Sequence, residues 1–179
     1  GTATVTITGK GKFGGTKTVT FTIKKAEQSI TIKASPTSIA VGKTATVSIS
    51  GAKGTKYYKW MKEETDTGSA TVDSSTGKVT ATKVGIVTIK ATSKATDNFN
   101  AASKKVRIKI VPAATSAISA VNLATGIRLT WKKVTGATGY LVYRDDTKIA
   151  TIKSGGTVTY TDAKANTNGT KYTFKIVPT

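Results

Sequence analysis

Residues 69–93 read SATVDSSTGKVTATKVGIVTIKATS, and this stretch decides the fold. Within it, Lys78–Thr82 and Gly85–Ser93 interleave Thr with Val, Ile, Ala or Lys, a pattern that suits a pleated, half-buried strand. Gly77 and Gly85 punctuate it where a positive φ is expected. Working outward, strand signals recur at Ser29–Ala34, Thr44–Ser50, Tyr57–Met61 and Lys104–Val111, separated by Gly42, Gly51 and Gly54. Ser35-Pro36 breaks the first of these, as Pro does at a sheet edge. Short strands at this spacing predict a β-sandwich over 26–112.

The stretch SITIKASPTSIAVGKTATVSI (29–49), then Trp60, then 69–93 resembles a bacterial immunoglobulin-like group 2 domain. Val41-Gly42, Trp60, Val72-Asp73, Gly77-Lys78-Val79 and Gly85 match that family's features in order. The resemblance covers nearly all of 28–111 and implies a core Trp at position 60. One departure is Lys94–Ser103, which carries Asp97, Asn98, Phe99 and Asn100 and is longer and more polar than a tight hairpin needs. It is expected to form an extended loop.

On the N-terminal side, Thr2–Thr8 alternates strictly, a Gly-rich turn holds Phe13, and Thr18–Ile23 alternates again. Two strands do not make a stable domain alone. The segment 1–25 resembles the closing strands of a preceding immunoglobulin-like repeat. On the C-terminal side, Pro112 and a short Ala/Thr/Ser stretch read as a linker. Strands are then expected at Gly126–Lys132, Gly139–Arg144, Thr147–Lys153, Thr157–Asp162 and Lys171–Val177.

GIRLTWKKVTGATGYLVYR and TYTDAKANTNGTKYTFKI resemble a fibronectin type III domain of Gram-positive surface proteins. That resemblance implies core roles for Trp131, Tyr140 and Val142, a corner tyrosine at Tyr172, and a final strand lying beyond 179. The expected fold is therefore all-β: tandem immunoglobulin-like β-sandwiches divided 1–25, 26–112 and 113–179, with both ends of the chain falling inside modules.

Composition narrows the chemistry. Thr fills roughly a fifth of the chain, which favours strands. There is no Cys and no His, which removes the commonest nucleophile–base pairs and metal ligands. No apolar run approaches the ~20 residues needed to span a bilayer, so no membrane insertion is expected. The net charge of +19 is spread as +5 over 1–25, +8 over 26–112 and +6 over 113–179. Lysines dispersed in this way read as solvated strand faces and protected edges rather than as a specific nucleic-acid groove.

Catalytic, cofactor and metal residues are expected to be absent. Glu63, Glu64 and Asp66 form the only acidic cluster, and they read as a solvated loop. Asp145-Asp146 reads as a hairpin turn and Asp97-Asn98-Asn100 as loop, rather than as calcium ligands. A Lys–Asn cross-link promoted by Glu27 or Asp162 finds little support. Candidate ligand contacts are Tyr57, Tyr58 and Tyr143; as strand neighbours, Tyr57 and Tyr58 must face opposite ways.

The resemblances imply a non-catalytic stalk, spacer or adhesive module, extracellular or attached to the cell wall, with host or wall glycans or proteins as partners. Two alternatives are an accessory region of a secreted carbohydrate-active enzyme and a basic binder of teichoic acid or acidic glycans. Unpaired strand edges also invite strand exchange or head-to-tail self-association.

Overall fold

The computed structural model describes residues 1–179 and contains sixteen strands and no helix. No helix is therefore long and apolar enough to cross a membrane. Strands β1 (Thr2–Thr8) and β2 (Thr16–Thr22) form an antiparallel pair. Its register sets Ala3 opposite Phe21 and Val5 opposite Val19 on one face. Eight threonines, from Thr2↔Thr22 to Thr8↔Thr16, occupy the other. The apolar face is open, with Val5, Ile7, Val19, Phe21 and Ile23 all exposed.

Eight strands follow: β3 (Thr31–Ser35), β4 (Ser38–Ala40), β5 (Thr44–Ser50), β6 (Lys56–Trp60), β7 (Ser69–Val72), β8 (Lys78–Lys83), β9 (Gly85–Ser93) and β10 (Ala102–Val111). They form two four-stranded sheets, ordered β3-β5-β8-β7 and β4-β10-β9-β6. A core of fourteen buried residues includes side chains from both sheets. Period-two alternation builds that core: Ala45, Val47 and Ile49 of β5 are buried, while Thr44, Thr46, Ser48 and Ser50 face out.

The expected first strand, Ser29–Ala34, is β3, and an additional strand, β4, follows the break at Ser35-Pro36. Pro36 lacks a backbone N–H, the ladder on β5 stops at Ser35, and the chain resumes as β4 in the other sheet. There β4 runs parallel to β10, with Ser38, Ile39 and Ala40 opposite Lys109, Ile110 and Val111. Strand β7 was also not foreseen as an element. The β7–β8 turn is fixed by the Asp73 carboxylate, which accepts the N–H of Ser75 and Thr76 and the Ser75 hydroxyl.

The remaining strands are β11 (Ser119–Leu123), β12 (Gly126–Thr130), β13 (Tyr140–Arg144), β14 (Thr147–Ile152), β15 (Thr159–Asp162) and β16 (Phe174–Pro178). They form three-stranded sheets ordered β11-β12-β15 and β14-β13-β16 around six buried residues. Tyr140 and Val142 are fully buried, as alternation requires. Trp131 is 4% exposed and packs edge-on to Tyr140, its indole N–H buried without an acceptor. Part of the expected linker is strand β11. Tyr172 precedes β16 rather than starting it, and the Arg144 guanidinium lies 5.5 Å from its ring centroid.

The first hairpin repeats the register of β9–β10. With Gly1 set on Gly85 and Ile23 on Ile110, the pair Ala3↔Phe21 corresponds to Val87↔Ile108, and Val5↔Val19 to Ile89↔Val106. In β9–β10 Val87, Ile89 and Ile108 are fully buried beneath the opposing sheet; in the hairpin the equivalent face is open.

Candidate functional site

The three candidate tyrosines do not converge. Tyr57 is 42% exposed on the outer face of β6, whereas Tyr58 is 4% exposed in the core. Alternation turns Tyr58 inward, where its ring lies against the Gly77 backbone. Tyr143 lies half-buried on β13, within the other core's sheets, with the Lys175 ammonium 5.7 Å from its ring centroid.

In the acidic cluster Glu64 is exposed, as expected of a solvated loop, but Asp66 is not. Asp66 is 8% exposed. One carboxylate oxygen accepts the Thr88 N–H at 2.9 Å and the Trp60 indole N–H at 3.2 Å, and the other accepts the Thr88 hydroxyl at 2.8 Å. Burial opposes ionisation of Asp66, but hydrogen bonds from Thr88, Trp60 and the Glu63 backbone outweigh it and hold its pKa below the ordinary value. Trp60 is thus half-buried against the core and anchors a loop as well as filling space. Glu63 reaches Lys105 at 2.6 Å.

Asp162 and Asp145 are likewise engaged in structure. Asp162 is 3% exposed and takes Arg144 at 2.8 Å and the Lys164 N–H at 3.1 Å. Asp145 and Asp146 both have positive φ, the geometry of a two-residue hairpin turn, and Asp145 accepts the Thr173 N–H.

Sequence reasoning missed Gln28, which is 7% exposed. Its amide donates to the Lys94 carbonyl at 3.0 Å and the Asn100 carbonyl at 2.6 Å. Its oxygen accepts the Lys53 N–H at 2.8 Å and the Ser93 hydroxyl at 2.6 Å. Around it, the long β9–β10 loop grips the incoming chain. Ala26 exchanges backbone hydrogen bonds with Asn98 and Asn100, Lys25 donates to the Thr96 carbonyl, and Asn100 donates to Glu27. The unusual length of Lys94–Ser103 therefore serves as a clasp on the segment joining the first hairpin to β3.

Gln28→Ala strands two carbonyls, one N–H and one hydroxyl, and is expected to cost about 2–3 kcal/mol. Urea unfolding at pH 7 measures the loss, and amide exchange at Ala26 and Asn100 is expected to accelerate with it.

Strand register also assembles charge. On the outer face of β6–β9–β10, Lys59 stands opposite Lys90, and Lys90 opposite Lys105. The neighbouring row is Tyr57–Thr92–Ser103, and Arg107 and Lys109 continue outward along β10. The second core carries a smaller version, with Tyr143 between Lys148 and Lys175 across β14–β13–β16. No protein-family model matches the chain, and no curated protein matches it.

Proposed function

We infer that the chain is a non-catalytic, tension-resisting spacer of a bacterial cell-surface or secreted protein. The observation that carries this reading is the parallel β4–β10 pair. Strand β4 is the second strand of the 26–112 sequence and β10 the last, so tension along the chain pulls them in opposite directions. Hydrogen bonds between parallel neighbours are then loaded together in shear, whereas a hairpin pulled at its open end loses them one by one. The bonds Val41 N–H to Val111 O at 3.0 Å and Lys109 N–H to Thr37 O at 2.9 Å extend the clamp.

The strand order supports the immunoglobulin-like assignment, with the first strand divided between two four-stranded sheets. The three-plus-three arrangement of β11–β16 supports the fibronectin type III-like one. The repeated hairpin register supports a modular chain divided 1–25, 26–112 and 113–179. The sequence resemblance supports an extracellular or wall-attached location. The Gln28 clasp adds stiffness where a spacer needs it, at a junction.

Val41→Pro removes one donor of the clamp. Single-molecule pulling is expected to show a lower rupture force for the 26–112 sandwich. An unchanged force would remove the clamp from the account.

A further inference from the structure

We propose that the outer face of β6–β9–β10 binds a linear acidic glycan, with Lys59 and Lys90 contacting its anionic groups and Tyr57 packing on a sugar ring. This goes beyond the spacer reading and stands or falls independently of it. Three lysines facing one another across adjacent strands are an arrangement that sheets disfavour, because directly opposed like charges repel. The row is about 10 Å long, two strand spacings, which concentrates positive charge over a short path.

The surrounding groups are mixed. Lys105 is held by Glu63 at 2.6 Å, and Arg107 hydrogen-bonds the Thr65 hydroxyl. Glu64 lies in the same loop, and the Asp66 carboxylate is turned inward onto Thr88. Lys59 and Lys90 have no acidic partner within salt-bridge distance.

A regular polymer of charged sugars suits this face on two counts. Its anionic groups can meet successive ammonium groups, and a pyranose ring presents the C–H face that an exposed tyrosine packs against. Tyr57 lies one row from the lysines on the same face. The recurrence of Lys148–Tyr143–Lys175 on the second core repeats the combination. Glu63 competes with a ligand for Lys105, so its removal is expected to strengthen binding.

The test uses the full chain with polygalacturonate, dextran sulfate, fully methyl-esterified polygalacturonate and duplex DNA, each at about 50 and 200 mM salt. Binding of at least one acidic glycan but not the esterified polymer is expected. Lys59→Gln/Lys90→Gln is expected to weaken it about tenfold, and Tyr57→Ala severalfold. Glu63→Gln is expected to tighten it, while Lys10→Gln/Lys12→Gln, which removes the same charge from the first hairpin, leaves it within about twofold. The Lys59/Lys90 double variant is also expected to melt no lower than the parent, which separates lost binding from lost folding. Equal weakening by the two double variants would overturn the proposal. So would no binding of either acidic glycan at low salt, or DNA binding as tight as glycan binding and insensitive to Tyr57→Ala.

Discussion

Replacing Gly77 by Ala is expected to lower the melting temperature of the 26–112 sandwich by about 20 °C. Gly77 has φ +74°, a conformation that costs an L-residue about 1–2 kcal/mol. A Cβ there would also lie 2.2 Å from the Val47 carbonyl oxygen and 3.1 Å from the Tyr58 ring. Neither neighbour yields easily. Val47 is fully buried in the middle of β5, and Tyr58 is packed in the core. Forcing them apart adds about 1–3 kcal/mol, for a total of about 2–5. Gly42→Ala provides the internal control. Its φ is +80° but open space surrounds the added methyl, so only the backbone penalty of about 1–2 kcal/mol is expected. Calorimetry on both variants separates collision from conformation. Equal losses would show that the collisions with Val47 and Tyr58 do not matter.

Asp66→Ala is expected to cost about 3 kcal/mol, because it leaves the Thr88 N–H, the Thr88 hydroxyl and the Trp60 indole N–H without their acceptor. Thr88 is 1% exposed, so water cannot simply replace the carboxylate. Asp66→Asn retains one acceptor and should cost less. The pH dependence follows from the lowered pKa of the folded state. The unfolded chain binds the proton more readily than the native one, so ionised Asp66 stabilises the fold above the unfolded value of about 3.9. That contribution is lost as pH falls through the lower, folded value. Denaturant unfolding at pH 7 should therefore separate wild type from Asp66→Asn, and the gap should narrow below about pH 4. A gap that widens in acid would mean that the native state holds Asp66 protonated.

What could be read from sequence depended on how far each interaction reaches along the chain. Strands β1, β5, β9 and β10 run seven to ten residues and carry a visible period of two. Strands β4 and β7, of three and four residues, are too short to show one. Strand β11 is exposed throughout, so no buried face marks it. The outward position of one tyrosine of the Tyr57–Tyr58 pair followed from alternation, but which of them did not. Asp66 looked solvated because its neighbours in sequence are polar, while its main partner, Thr88, lies 22 positions away. Gln28 meets Lys94 and Asn100 across 66 and 72 positions. The lysine row arises only when three strands are set in register; each lysine alone reads as an ordinary strand face.

The spacer account rests on the direction in which force meets the β4–β10 pair. It is tested most directly by pulling the same sandwich in two geometries in single-molecule experiments. One geometry applies tension through the natural chain ends of 26–112. The other applies it through cysteines placed at Thr31 and Ser50, exposed partners at the open end of the β3–β5 ladder, where bonds break in sequence. The account predicts a clearly higher rupture force along the natural chain. An equal or lower force along the natural chain would contradict it.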